Sequence, residues 1–386
     1  MTRISATLGC LLLSIAAAPA HAAEWPYVLW PAAPLDDPRP AIPAGSESKN
    51  PSTTSSILRG SILASIDDAP TASIGGARSY SVSAAQKPTA FEKRLLSPFH
   101  FEGGARYWYS SGTTRFGFTN GNPQFGNPTS TLDWSGTIGN SGEAFARVDH
   151  LPSQLFVKGL LGGGRINGGH MDDRDFLARQ IKFSDTTSDI NGDSMRYAMF
   201  DVGYSVALPS EGIRIGAFVG YHYWRERMTA FGSRCNPDDV QNVFCGPAGS
   251  VEVPFTTPGV TYETVWKAAR IGGEAKIRLY DRWTVDSEIA IVPYARLSND
   301  DSHLLRGDLG PVPNVLTRAN AFGAEAEIFF NYAVLRNFEV GLGARYWGMF
   351  TKSGSIVFGP AFSREVALTR FDTQRYGVLL QAKGTY

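Results

Sequence analysis

Two short stretches of this sequence group side chains that can move protons. One is Gly168-Gly169-His170-Met171-Asp172-Asp173-Arg174-Asp175-Phe176, and the other is Asn299-Asp300-Asp301-Ser302-His303-Leu304-Leu305-Arg306. In extended backbone, residues two apart point the same way, so Asp173 with Asp175 and Asp301 with His303 each present a pair to one side. A carboxylate beside an imidazole orients the ring and stabilises its charged form, giving a base that can take a proton from water. Two neighbouring carboxylates hinder each other's ionisation, which leaves at least one with a raised pKa. Spacing alone also fits solvated polar turns. Calcium is a poorer fit, because Asp172, Asp173 and Asp175 lack the fixed glycine and closing glutamate of an EF-hand loop.

The elements that must hold these pairs read as strands. From Phe99 the apolar period is two: Phe99, Phe101, Ala105 and Tyr107 share one face, and His100, Glu102 and Arg106 the other. The alternation recurs in 213–223, 269–279, 322–330 and 375–386, with at least one of Arg, Lys or Glu on the second face each time. A dry sandwich core would charge heavily for those ions, whereas a wet barrel lumen accommodates them. The terminal Tyr386, closing an alternating strand, resembles the assembly signal of bacterial outer-membrane barrels. The expected fold class is therefore all-β, an antiparallel transmembrane β-barrel. About ten strands are expected, over 99–118, 128–149, 154–166, 188–207, 212–230, 260–280, 283–299, 318–334, 337–354 and 372–386. Short turns at 151–154, 209–212 and 280–283 alternate with long polar loops, and both acid clusters fall in long loops, after the third and seventh strands. Gly-Ala-Arg-Tyr-Trp occurs at 104–108 and again at 343–347, read as two similar strands rather than a repeat fold. One conflict stands out. Continuing the alternation from Ile289 and Ile291 turns Asp301 and His303 toward lipid, unless a β-bulge intervenes.

Composition agrees with export and membrane residence. Lys plus Arg total 36 and Asp plus Glu total 36, a balance unlike the basic excess of a general nucleic-acid binder. Glycine, at 41 residues, and aromatics, at 12%, are high, as barrels require. Arg3, the apolar run Leu8–Ala18 and Ala20-His21-Ala22 read as a signal segment over 1–22, too short to span a bilayer as a helix. Residues 23–96 are rich in Pro, Ser, Ala and Thr and read as a disordered periplasmic extension ahead of a barrel over 97–386. Cys235 and Cys245 sit ten apart in a polar stretch, placed to close a loop disulfide in an oxidising compartment. The stretch supplies too few ligands for a metal.

Together these features resemble the omptin family of outer-membrane proteases, ten-stranded barrels with an active-site groove at the extracellular end. Omptins carry an Asp-x-Asp pair after a Gly-Gly-Asn-Met-type tract in the second outer loop, to which 168–176 is similar. Their Asn-Asp-x-His stretch in the fourth outer loop is matched by Asp300-Asp301-Ser302-His303, with Asp300 replacing Asn. Leu132-Asp133-Trp134 is similar to a further family tract. The resemblance covers roughly 98–386. It implies an aspartyl-type endopeptidase of the bacterial outer membrane acting on polypeptides. His303 is then the base, Asp301 its orienting partner and Asp173 with Asp175 the opposing pair, around a nucleophilic water. It implies no metal or other cofactor, and lipopolysaccharide as a partner on which activity could depend. Omptins that cut between basic residues line a pocket with acids where this chain has Asn299 and Phe116, so a preference for Arg or Lys is not implied. The competing readings are a non-enzymatic barrel, serving as an adhesin, a structural element or a relic protease, and a narrow pore.

Overall fold

A computed structural model describes residues 97–208, 212–236, 245–359 and 364–386. The signal segment 1–22, the extension 23–96 and the turn at 209–211 lie outside the described residues. The described chain forms twelve antiparallel segments: β1 Phe99–Thr119, β2 Phe125–His150, β3 Leu155–Ile166, β4 His170–Leu177, β5 Ile181–Ile190 and β6 Asp193–Leu208. β7 Ile213–Cys235, β8 Val251–Tyr280, β9 Trp283–His303, β10 Val315–Leu335, β11 Phe338–Phe358 and β12 Arg364–Thr385 complete the set. β1 pairs with both β2 and β12, so the sheet closes on itself. At the short-turn end β3 and β6 bridge β2 to β7. At the other end β4 and β5 make the same bridge. Each end is thus a ring of ten strands, and β3 with β4, like β5 with β6, is one long strand with a break.

The outward face carries an apolar belt, including Tyr107, Leu161, Phe200, Val219, Ile271, Ile289, Phe330 and Leu380, all at least a third exposed. On β1 it runs from Phe99 to Tyr109, about ten steps of roughly 3.3 Å, or about 25 Å once the strand tilts. That matches the height of a membrane barrel's band. The inward face is ionic. Arg147 meets Glu274 at 2.7 Å, Arg270 meets Asp201 at 3.1 Å and Glu325 at 2.9 Å, and Lys383 meets Asp286 at 2.7 Å. Left unpaired, each such ion would cost several kcal/mol. Paired across the lumen, they fill it, leaving a recess of about 140 Å³.

Above these ions lies an aromatic layer. The two Gly-Ala-Arg-Tyr-Trp tracts sit on strands that flank β12 in the same direction, which brings Trp108 and Trp347 together at 4.6 Å. Trp224 adds to them at 5.5 Å. Higher still, Trp134 lies 5.1 Å from Tyr262, and Phe371 packs on Tyr262, Phe116 and Trp266. This dry layer is the floor on which the two acid clusters stand.

The acid clusters differ from the loop placement expected of them. Asp173 and Asp175 belong to β4, and Asp301 and His303 to β9. The period-two pattern continues past the belt, so the wall extends into solvent instead of ending in loops. Asp301 lies about seven residues beyond Tyr294, the last large apolar residue exposed on β9, which is roughly 20 Å further along the strand.

Candidate active site

Two breaks in alternation aim these side chains inward. On β9, Ile289 and Ile291 face out and Ala290 and Val292 face in; then Pro293 and Tyr294 are both exposed, and Ala295, Leu297, Asn299 and Asp301 face in. The register with β10 jumps from Val292↔Gly323 to Ala295↔Ala321, an extra residue on β9. This is the β-bulge that the parity conflict called for, and it sits at a proline, which has no N–H to give the ladder. On the opposite wall the inward residues of β3 are even-numbered (Phe156, Leu160, Ile166), and those of β4 are odd-numbered (Met171, Asp173, Asp175, Leu177). The switch occurs at Gly168-Gly169. Gly169 has φ +121°, and a methyl there would lie 2.7 Å from the Ser135 carbonyl.

β4 is held from behind. Arg174 on its outer face donates to Asp172 at 2.8 Å and Asp133 at 3.1 Å, and Thr187 donates to Asp172 at 2.6 Å. Cys235 and Cys245 are joined, with Cα atoms 5.8 Å apart, and Asn236 beside them binds Asp185 and Thr187 on β5. With β4 fixed, Asp173 and Asp175 present their carboxylates to the barrel mouth, half-buried. On β9, His303 Nε2 lies 3.1 Å from Asp301 Oδ2. The Asp301 side chain is 2% exposed and that of His303 20%, so the dyad is anchored below and open above. Tyr262 stands opposite Asp301 on β8 and is fully buried.

The charges of the two walls reach each other. Burial and then the neighbouring Asp175 push the Asp173 carboxyl up to about 8, with Asp301 and Asp185 adding and His303 opposing. Burial also raises Asp175, against a hydrogen bond from Ser130 and the charges of His303 and Arg306. For His303, burial disfavours the cation, but the charge and hydrogen bond of Asp301, helped by Asp173, outweigh it and bring the imidazole to about 9. An arrangement of one proton-holding carboxyl pair facing a carboxylate-oriented imidazole can activate water on one side and donate a proton on the other.

Sequence reasoning did not single out Ser130, Arg306 or Tyr262. Ser130 and Tyr262 are ordinary strand residues until register puts them opposite Asp175 and Asp301. Arg306 follows His303 by three and pairs with Asp308 at 2.7 Å, and nothing in its spacing indicates that its charge acts on Asp175 and Asp173. His170, inside the first acid stretch, is exposed on the outer side. Asn299 is fully buried and donates to the Glu263 carbonyl at 3.1 Å, and Phe116 belongs to the aromatic floor. Among the described residues, one group of three potential metal donors lies together, His100, Glu102 and Asp149. It is at the short-turn end, where Arg214 pairs with Glu102 and Asp149, and Lys276 and Lys383 pair with Glu102, a poor setting for another cation.

No protein-family profile matches this chain, and no curated protein sequence does either. Among solved structures, it is similar to the outer membrane protease OmpT from Escherichia coli, with a TM-score of 0.60 at 14% identity, over 74% of this chain and 97% of that one. A deletion mutant of the TodX monoaromatic hydrocarbon channel (TM-score 0.21, 9% identity, 75% of this chain and 90% of that one) shares too little shape to carry an argument. The same holds for a FadL homologue from Pseudomonas aeruginosa (0.19, 9%, 75% and 90%). What the likeness to OmpT establishes is the fold: this chain is a membrane-type β-barrel built like that of an outer-membrane protease.

Proposed function

We propose that this barrel is an omptin-like endopeptidase of the bacterial outer membrane, exported by its signal segment and preceded in the periplasm by residues 23–96. The observation that carries the reading is the mutual electrostatic influence of Asp173 and Asp175 with the Asp301–His303 pair across one open mouth. In the proposed reaction a water bound between the two walls attacks the scissile carbonyl carbon. His303 takes the water's proton, and Asp301 stabilises the resulting imidazolium. The protonated member of the Asp173–Asp175 pair supports the carbonyl oxygen as it gains charge. As the C–N bond breaks, the His303 imidazolium passes its proton to the departing nitrogen, leaving a free carboxylate and a free amine. No bond forms between substrate and protein. The aromatic floor excludes bulk water from below, which strengthens every charge interaction above it.

Lipopolysaccharide is the proposed lipid partner. Just above the apolar belt, the outward residues Arg165, Arg196 and Arg227 border one surface recess, together with Asp193. Such a cluster attracts the phosphates of an outer-leaflet headgroup. The filled lumen weighs against the pore reading.

The full-length protein, refolded with lipopolysaccharide, is expected to cut members of a mixed peptide library. His303→Ala should reduce the rate at least about 100-fold with the barrel intact. Equal cleavage by the variant removes the assignment, and no cleavage by the unaltered protein favours a non-enzymatic barrel.

A further inference from the structure

Asp301 is the last residue of β9 paired with β10, opposite Val315. On its other side β9 stays paired with β8 as far as His303, opposite Val260. His303 therefore stands two residues past the end of the β9–β10 ladder. Its peptide groups on the β10 side have no strand residue to meet, and an imidazole on such a frayed end would swing with its backbone. Asn314, fully buried just ahead of β10, takes the missing place. Its side-chain oxygen accepts from the His303 N–H at 2.9 Å, and its amide nitrogen donates to the His303 carbonyl at 3.2 Å. Its own backbone N–H donates to the Asp301 carbonyl at 3.1 Å, and its carbonyl accepts from the Gly359 N–H at 2.7 Å.

We propose that Asn314 is the positioning residue of the Asp301–His303 pair, its carboxamide acting as a surrogate peptide unit that extends the β9–β10 ladder to His303. The inference rests on the catalytic reading of His303, but the geometry it describes does not depend on catalysis. A carboxamide suits the task because it carries one donor and one acceptor side by side, as a strand partner does. Aspartate lacks the donor, and alanine lacks both. The binding is local and directional: on the β10 side Asn314 touches both members of the pair, one through backbone and one through side chain, while the Arg306 N–H adds a longer bond to the His303 carbonyl at 3.3 Å. Loss of the clamp leaves β9 paired with β8, so the barrel persists while the imidazole loses its fixed approach to Asp301.

The test uses the full-length protein, with Asn314→Ala and Asn314→Asp beside the unaltered chain and heat-modifiable gel migration as the check on barrel formation. Histidine-selective NMR titration reads the His303 ring, assigned by His303→Ala. Asp301, Asp173, Asp175, Arg306 and Asp308 are the charged groups that act on it. In Asn314→Ala the ring should titrate roughly one pH unit or more lower, because a mobile imidazole loses the carboxylate contact that favours its charge. On the library peptide cut fastest, kcat should fall about 100-fold with KM changed little, the signature of a displaced catalytic group. Asn314→Asp, which keeps the acceptor, should fall between, and it serves if the alanine variant does not fold. An unchanged His303 titration in a folded variant overturns the proposal, as does full cleavage by Asn314→Ala. If the unaltered protein cuts no peptide but the titration still moves, the enzyme reading fails and the clamp stands.

Discussion

A histidine that takes a proton from water must first be neutral, and the Asp301 carboxylate that orients His303 also holds the ring charged up to about 9. In the proposed reaction the carboxyl that supports the carbonyl oxygen must still hold its proton, and Asp173 does so up to about 8. The working form, neutral at His303 and protonated at the carboxyl pair, is then a minority species that is most abundant between those values. These belong to a coupled set of groups, so the profile reports the set as a whole. The expected outcome is a bell-shaped pH dependence of kcat/KM with its maximum between about 8 and 9. A profile flat from about pH 6 to pH 10 would count against both role assignments. Asp301→Asn separates the two effects of the carboxylate. Without its charge the ring sheds its proton more readily, so the optimum should move to lower pH. At the new optimum the rate should still fall at least about 100-fold, because the imidazolium formed during reaction is no longer stabilised. Stopped assays across pH on the two proteins check both the direction and the loss.

At the scale of strands, the site depends on where alternation is broken. Deleting Tyr294 removes the extra residue of β9 and returns Asp301 and His303 to the outward face. Cleavage should be lost while the barrel still migrates as a folded, heat-modifiable species. Inserting one glycine after Ser298 in that deletion should restore part of the activity by turning the pair inward again. A deletion variant with full activity would sink the bulge as the device that aims the site. The same breaks mark the limit of what the sequence discloses. Within the belt, outward apolar residues such as Ile289 and Ile291 and inward ions such as Glu325 are legible from period two alone, because lipid and lumen impose opposite requirements at every step. Beyond the belt the outer face is wet and the buried inner face holds apolar and polar side chains alike, so the requirement lapses and parity can shift unnoticed. Pro293 and Gly168-Gly169 were the available signals, as residues that do not belong inside a regular strand. Asn314 and Ser130 gave no signal, because their partners are fixed by register between segments far apart in the chain.

For the whole molecule, the order of layers decides what the barrel can do. Paired ions fill the membrane-level lumen, an aromatic layer seals it, and the ionisable mouth stands above both, so the structure invests in a rigid platform rather than a passage. A platform in lipid must also be held at a fixed depth. Arg165, Arg196 and Arg227 lie on three adjacent strands, two to three periods of alternation above Leu161, Phe200 and Tyr221, at the upper edge of the apolar belt. Arg196 also stands opposite Arg225 in the β6–β7 ladder, where Arg225 is itself paired with Glu263 at 2.7 Å, so the outward cation left to an anionic headgroup on that rung is Arg196. Each cation near an anionic surface contributes about 1 kcal/mol, so the three together represent about 3 kcal/mol, or on the order of 100-fold in lipid affinity. Replacing all three by serine should raise by that factor the lipopolysaccharide concentration giving half-maximal thermal stabilisation of the purified protein. Added salt should weaken the response of the unaltered protein more than that of the variant, since screening acts on charges the variant lacks. Identical titrations for the two proteins would mean that the recess takes no part in lipid binding, and that depth is set by the apolar belt alone.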